Sequence, residues 1–137
     1  MNGFSVLVVG ESVADALAPF YVTLATKDGE VPNPNGRWQR YEIGGRYANR
    51  LIVKGGEGLG VDQARAGDID WVAMREANDY AYAIVDGLGF WYGPGVIHWC
   101  EPDQLSEGDL QRWIEWYWDA VMALPPESWV SYVDCSY

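Results

Sequence analysis

Apolar positions along this chain change period several times, and each change predicts an element. Phe4–Val9 (FSVLVV) is a continuous, largely β-branched run closed by Gly10, which reads as a buried strand. Ser12 with Asp15 three residues on predicts a helix cap, and Pro19 ends that short helix near Ala18. Tyr21–Thr26 alternates and predicts a second strand, turned by Lys27-Asp28-Gly29. Trp38–Ile43 and Tyr47–Lys54 read as strands on either side of Gly44-Gly45, a pair that marks a bulge or a close backbone approach. Gly55–Gly60 is a flexible loop. It lacks the Lys-Ser/Thr of a phosphate-binding loop, and Glu57 would repel phosphate.

From Ile69 the period becomes helical. Ile69, Val72, Ala73, Ala77, Tyr80 and Ile84 share a face, so a helix is expected from Ile69 to Asp86, capped by Asp68 and closed by Gly87. Phe90–Tyr92 and Val96–Cys100 flank Gly93-Pro94-Gly95 as a hairpin. Ser106 caps a second long helix running to about Ala123, with Leu110, Trp113, Ile114, Tyr117, Val121 and Leu124 at i, i+3, i+4 spacing. Trp129–Cys135 alternates and closes the domain as a strand. The expectation is one α+β domain over residues 1–137: a mainly antiparallel sheet, ferredoxin-like in spirit, with two longer helices on one face. The apolar first and last strands should lie centrally.

Charge changes this picture most. The formal net charge is −11, but residues 1–30 carry −3, residues 31–75 carry +2, and residues 76–137 carry −10. A nucleic-acid binder needs clustered positive charge, so direct contact with DNA or RNA is not expected. The acidic half should instead attract basic surfaces, including those that hold nucleic acid, or simply confer solubility. Eight Trp and nine Tyr supply amphipathic rings of the kind that anchor interfaces. Trp116 and Trp118 fall off the main apolar stripe of the last helix beside Glu115 and Asp119. With Glu101, Asp103, Glu107 and Asp109 they form the expected partner-binding set. The competing expectation is that a second element covers the two tryptophans.

A different ligand class is suggested by Val31–Lys54, which holds five of the nine basic residues. Asn33, Asn35, Trp38, Tyr41, Arg46 and Arg50 could form a pocket for a small anion such as a nucleotide, with Arg46 as clamp and an aromatic ring stacking. Alternatively, Arg37, Arg40, Arg46 and Arg50 pair with the chain's own acids and brace the fold. His98 and Cys100 share a strand face, and Cys135 could join them. One His and two Cys without a C-x-x-C pattern read better as buried structure than as zinc or a thiolate–imidazolium pair. Asp68 and Asp70 read as helix caps rather than Mg²⁺ ligands, and no cofactor is expected. No apolar run reaches the ~18–20 residues that cross a bilayer. Met1–Val9 has no basic start or small-residue cleavage site, so a secretory leader is not expected. With two cysteines, a reducing cytoplasm is the expected compartment.

Four ordered blocks, FSVLVVGESVADALAPF, NPNGRWQRYEIGGRY, DQARAGDIDW and LPPESWVSYVDC, together resemble an uncharacterised family of small phage- and prophage-encoded proteins. That family tends to read Trp-Asp-Trp-Tyr, Gly-Gly-Arg-Trp and Val-Asp-Cys-His, where this chain has Trp38-Gln39-Arg40-Tyr41, Gly44-Gly45-Arg46-Tyr47 and Val133-Asp134-Cys135-Ser136. The resemblance implies a phage accessory protein and supplies no reaction. With the charge pattern, it leads to the expectation of an acidic, anti-CRISPR-like inhibitor in the host cytoplasm. Such a protein would bind a host protein or ribonucleoprotein complex through a basic surface.

Overall fold

The computed structural model describes residues 3–56, 60–94 and 106–136. It is a mixed α/β structure built on a mainly antiparallel sheet. The first strand, β1 (Gly3–Val9), and the last, β10 (Trp129–Ser136), lie side by side at its centre, antiparallel, with Gly3 opposite Ser136 and Val9 opposite Val130. Their alternation explains why both are buried on two faces. Phe4, Val6, Val8, Val133 and Cys135 point to one side, and Leu7, Val130 and Tyr132 to the other.

Beyond β1 lies β8 (Ala83–Asp86), parallel to it, and then β9 (Trp91–Tyr92), antiparallel to β8. On its other edge β10 pairs successively with β7 (Gln63–Arg65) and β4 (Arg40–Ile43). Two small ribbons stand apart from this sheet: β2 (Thr23–Thr26) with β3 (Gly29–Pro32), and β5 (Leu51–Ile52) with β6 (Gly60–Val61).

Each sheet face has its own cover. Helix α1 (Val13–Leu17), capped by the Ser12 hydroxyl accepting from the Asp15 N–H, packs with Phe20, Trp38, Tyr41 and Trp91 on one side. On the other, α2 (Trp71–Glu76) and α3 (Glu107–Met122) bury Trp71, Met74, Trp113, Tyr117, Trp118 and Val121 against Leu7, Ile84 and Tyr132. Each large apolar side chain fully buried in this way contributes ~1.5–3 kcal/mol. No helix among the described residues is long and apolar enough to cross a membrane.

Three expectations need correction. The helix expected over Ile69–Asp86 stops at Glu76: Ala77 caps it, Asn78 sits at φ +55, and Ala83–Asp86 is the parallel strand β8. Residues 81–85 are buried without exception, and a continuously buried run carries no period that separates helix from strand. Only one of the two helices on that face is therefore long. Its cap is Asp70, whose Oδ1 accepts the Ala73 N–H at 3.0 Å, whereas Asp68 lies in a preceding 3-10 turn. The strand expected over Tyr47–Lys54 shrinks to Leu51–Ile52. Gly44 (φ +77) and Gly45 (φ +52) instead lead into a 3-10 turn at Gly45–Tyr47. The expected strand Val96–Cys100 lies outside the described residues, as do Glu57–Leu59 of the glycine loop.

Candidate interaction surface

Helix α3 begins where the sequence places it, with the Ser106 hydroxyl accepting the Asp109 N–H at 3.1 Å. Glu107 and Asp109 occupy the first turn, where carboxylates oppose the helix dipole favourably. The Ser106 hydroxyl and the Arg112 guanidinium, which pairs with Asp109, hold that carboxyl below the usual carboxylate range. Trp113, Tyr117 and Val121 face the core, and Leu110, Ile114 and Leu124 pack partly against it, as the periodicity predicts.

The two tryptophans off that stripe part company. Trp118 is 2% exposed, with its ring edge-on to Tyr117 at 4.9 Å, so it is a core residue and is removed from the binding set. It belongs to the core cluster that also holds Trp71 and Met74 of α2, which packs against α3. Trp116 is 44% exposed and stays at the surface. Glu115 and Asp119 are exposed on the turns around it and Glu107 at the start of the helix, and none of the three enters an ion pair among the described residues. Gln111 Nε2 donates to Glu115 Oε1 at a long 3.5 Å. Glu101 and Asp103 lie outside the described residues.

Trp116 does not stand alone. Its ring stacks on buried Trp113 at 5.2 Å on one side and meets Tyr92 of β9 at 5.3 Å on the other; Tyr92 stacks in turn with Phe90 at 6.2 Å. Trp113 is fixed because its Nε1 donates to the Ala81 carbonyl at 2.9 Å. A row of rings therefore runs from the core to the surface. Nothing in the spacing of Phe90 and Tyr92 announces that they meet Trp116, since the contact depends on β9 pairing at the sheet edge beside α3.

Not all the acids of the latter half share this surface. Asp134 is taken by Arg46, whose Nε and Nη2 donate to its two oxygens at 2.9 and 2.7 Å while the Arg46 backbone N–H adds a third bond at 3.0 Å. That clamp keeps the Asp134 carboxyl below its usual range. Asp79 pairs with Arg50 at 3.5 Å, and burial, opposed by Arg50, raises its carboxyl. Asp86 is consumed by a turn, accepting the N–H groups of Leu88 and Phe90 at 2.9 and 3.2 Å. Among the described residues, Glu76 and Glu127 are exposed elsewhere, and Glu107, Asp109, Glu115 and Asp119 lie on α3.

The residues expected to hold an anion are occupied by the fold itself. Asn33 Nδ2 donates to the carbonyls of Pro19 and Tyr21 at 2.9 and 2.7 Å, and its Oδ1 accepts the Asn35 N–H at 3.0 Å. Trp38 Nε1 donates to the Leu17 carbonyl at 2.7 Å, and its ring lies between Tyr21 and Tyr41. The missing side chains at Gly44 and Gly45 do admit close neighbours, but these are the carboxylates of Asp62 and Asp134: a Cβ on either glycine would come within 2.7 Å of one. Arg46 and Arg50 thus brace the loop over Tyr47, each guanidinium about 6 Å from its ring centroid. Cys135 is fully buried, which pushes its thiol up and leaves it a poor nucleophile; His98 and Cys100 lie outside the described residues. No metal-holding group of three His, Cys, Asp or Glu occurs among the described residues.

No protein-family model matches the chain, and no curated protein or solved structure is detectably similar to it.

Proposed function

We propose that this is a binding protein rather than an enzyme, and that α3 presents an acidic, aromatic face to a basic surface on another protein. The observation that carries the reading is Trp116, exposed on α3 between Glu115 and Asp119 and backed by a ring row rooted in the core. A half-exposed ring already immobilised by stacking has little rotamer freedom left to lose, and the acids around it supply long-range attraction and orientation. In the phage setting implied by the sequence resemblance, the partner is a host defence or nucleic-acid-processing complex. The strip then blocks a site that otherwise holds DNA or RNA, inside the host cytoplasm. We also read the sandwich as ferredoxin-like in spirit, supported by the parallel pair β1 and β8 flanked by antiparallel β10 and β9.

The test is affinity isolation from host lysate with three baits: the native protein, Glu115→Lys/Asp119→Lys, and a control reversed on the remote ribbon, Asp28→Lys/Glu30→Lys. A basic nucleic-acid-binding complex recovered by the native bait and the ribbon control, and lost with the α3 reversal, is the expected result. Equal recovery by all three baits would remove α3 from the contact.

A further inference from the structure

The β8–β9 hairpin carries three large apolar side chains that the folding of the core does not use: Leu88, Phe90 and Tyr92 are 83%, 56% and 36% exposed. They are not on a loose loop. Asp86 Oδ1 accepts two turn N–H groups, Gly89 provides the positive φ (+89), and β9 pairs with β8 through Ile84–Tyr92 and Val85–Trp91. That register sends Trp91 into the α1 side of the sheet and sets Tyr92 against Trp116 on the α3 side. Phe90 then follows Tyr92 outward, 27° from parallel, and Leu88 stands at the tip.

Hairpin and helix therefore present one continuous apolar strip, held by Asp86, which accepts the turn N–H groups and lies 3.5 Å from the Tyr92 hydroxyl, with the free acids Glu115 and Asp119 on α3. A strip this apolar has little reason to face water unless something covers it. Its charge selects the cover. Carboxylates beside ring faces favour guanidinium groups, which can stack on the rings and pair with the acids at once, while Leu88 and Phe90 require aliphatic contact.

Resting on the proposed binding role of α3, we infer that Leu88, Phe90 and Tyr92 complete the same docking surface, and that its occupant is an amphipathic, arginine-bearing segment of the partner protein rather than a featureless polycation. The hairpin supplies the apolar anchor and α3 supplies the charge.

Two synthetic peptides of equal length, composition and charge separate these contributions: one places Arg and Leu on opposite faces of a helix, and the other scrambles them. Binding is followed by calorimetry against the full chain. The amphipathic peptide should bind about tenfold or more tighter than the scrambled one. Leu88→Ser/Phe90→Ser should erase that preference while both peptides still bind in a salt-dependent way, with the circular dichroism spectrum unchanged. Glu115→Lys/Asp119→Lys should weaken both peptides together. Equal binding of the two peptides to the native protein would overturn the hairpin's role and leave the α3 reading standing. Binding of neither would overturn both.

Discussion

Trp116 can act as an anchor only if the fold does not depend on it as it depends on Trp118, and the two indoles on one helix make that comparison direct. Trp118→Ala removes a ring that is 2% exposed and leaves a cavity in the core; truncations of this kind cost ~3–5 kcal/mol. Trp116 is 44% exposed, so a little over half of its ring area is at stake. At ~25 cal/mol per Å², reduced for burial already present in the unfolded chain, Trp116→Ala should cost ~2 kcal/mol. Urea unfolding followed by far-UV circular dichroism reads the difference without relying on indole fluorescence. With a slope of ~1–3 kcal/mol per molar, the midpoint should fall by ~2 M for Trp118→Ala and by ~1 M for Trp116→Ala. A loss for Trp116→Ala equal to or greater than that for Trp118→Ala would refute the assignment of Trp116 to the surface, and with it the anchor.

Tyr117 offers an independent check of the core: its hydroxyl is fully buried and has only the Ala81 backbone near it, without a well-formed hydrogen bond, so Tyr117→Phe should change stability by no more than ~1 kcal/mol in the same urea assay. Gly45→Ala should destabilise by ~1–3 kcal/mol, because φ is +52 and the new Cβ would sit 2.7 Å from Asp134, which thermal unfolding would show as a lowered Tm. The Asp134 carboxyl is depressed by Arg46, so its contribution is present above the ordinary aspartate pKa and lost as pH falls through the lower folded value. Asp134→Asn should therefore flatten the acid limb of a stability–pH profile. Asp79 has the opposite sign. Burial raises its folded pKa, stability falls as pH rises from the unfolded value through that raised value, and Asp79→Asn should remove this decline while giving up the contact with Arg50.

Where local chemistry decides structure, the sequence was readable. Ser12 and Ser106 cap the helices they announce, and the apolar runs at Phe4–Val9 and Trp129–Cys135 become the two central strands. Where pairing partners decide, it was not. Residues 81–85 are buried throughout, so the helical spacing of Ala77, Tyr80 and Ile84 coincided with a strand whose identity depends on β1 lying beside it. The arginines of the middle stretch were open to two uses, and contacts of 88 residues' separation, Arg46 with Asp134, settled one of them. Of the proposed interaction surface, the exposed acids of α3 were legible from position alone. Trp116 and Trp118 were not separable, because only tertiary packing distinguishes them, and the hairpin's share required the register of β9.

The claim that an acidic strip displaces nucleic acid from a basic site is tested most directly by competition. Labelled DNA or RNA is bound to the host complex recovered with the native protein, and its fluorescence anisotropy is followed as the protein is added. Anisotropy should fall to the free value, added salt should weaken the competition, and Glu115→Lys/Asp119→Lys should abolish it. Nucleic acid that stays bound while the protein joins the same complex would contradict it.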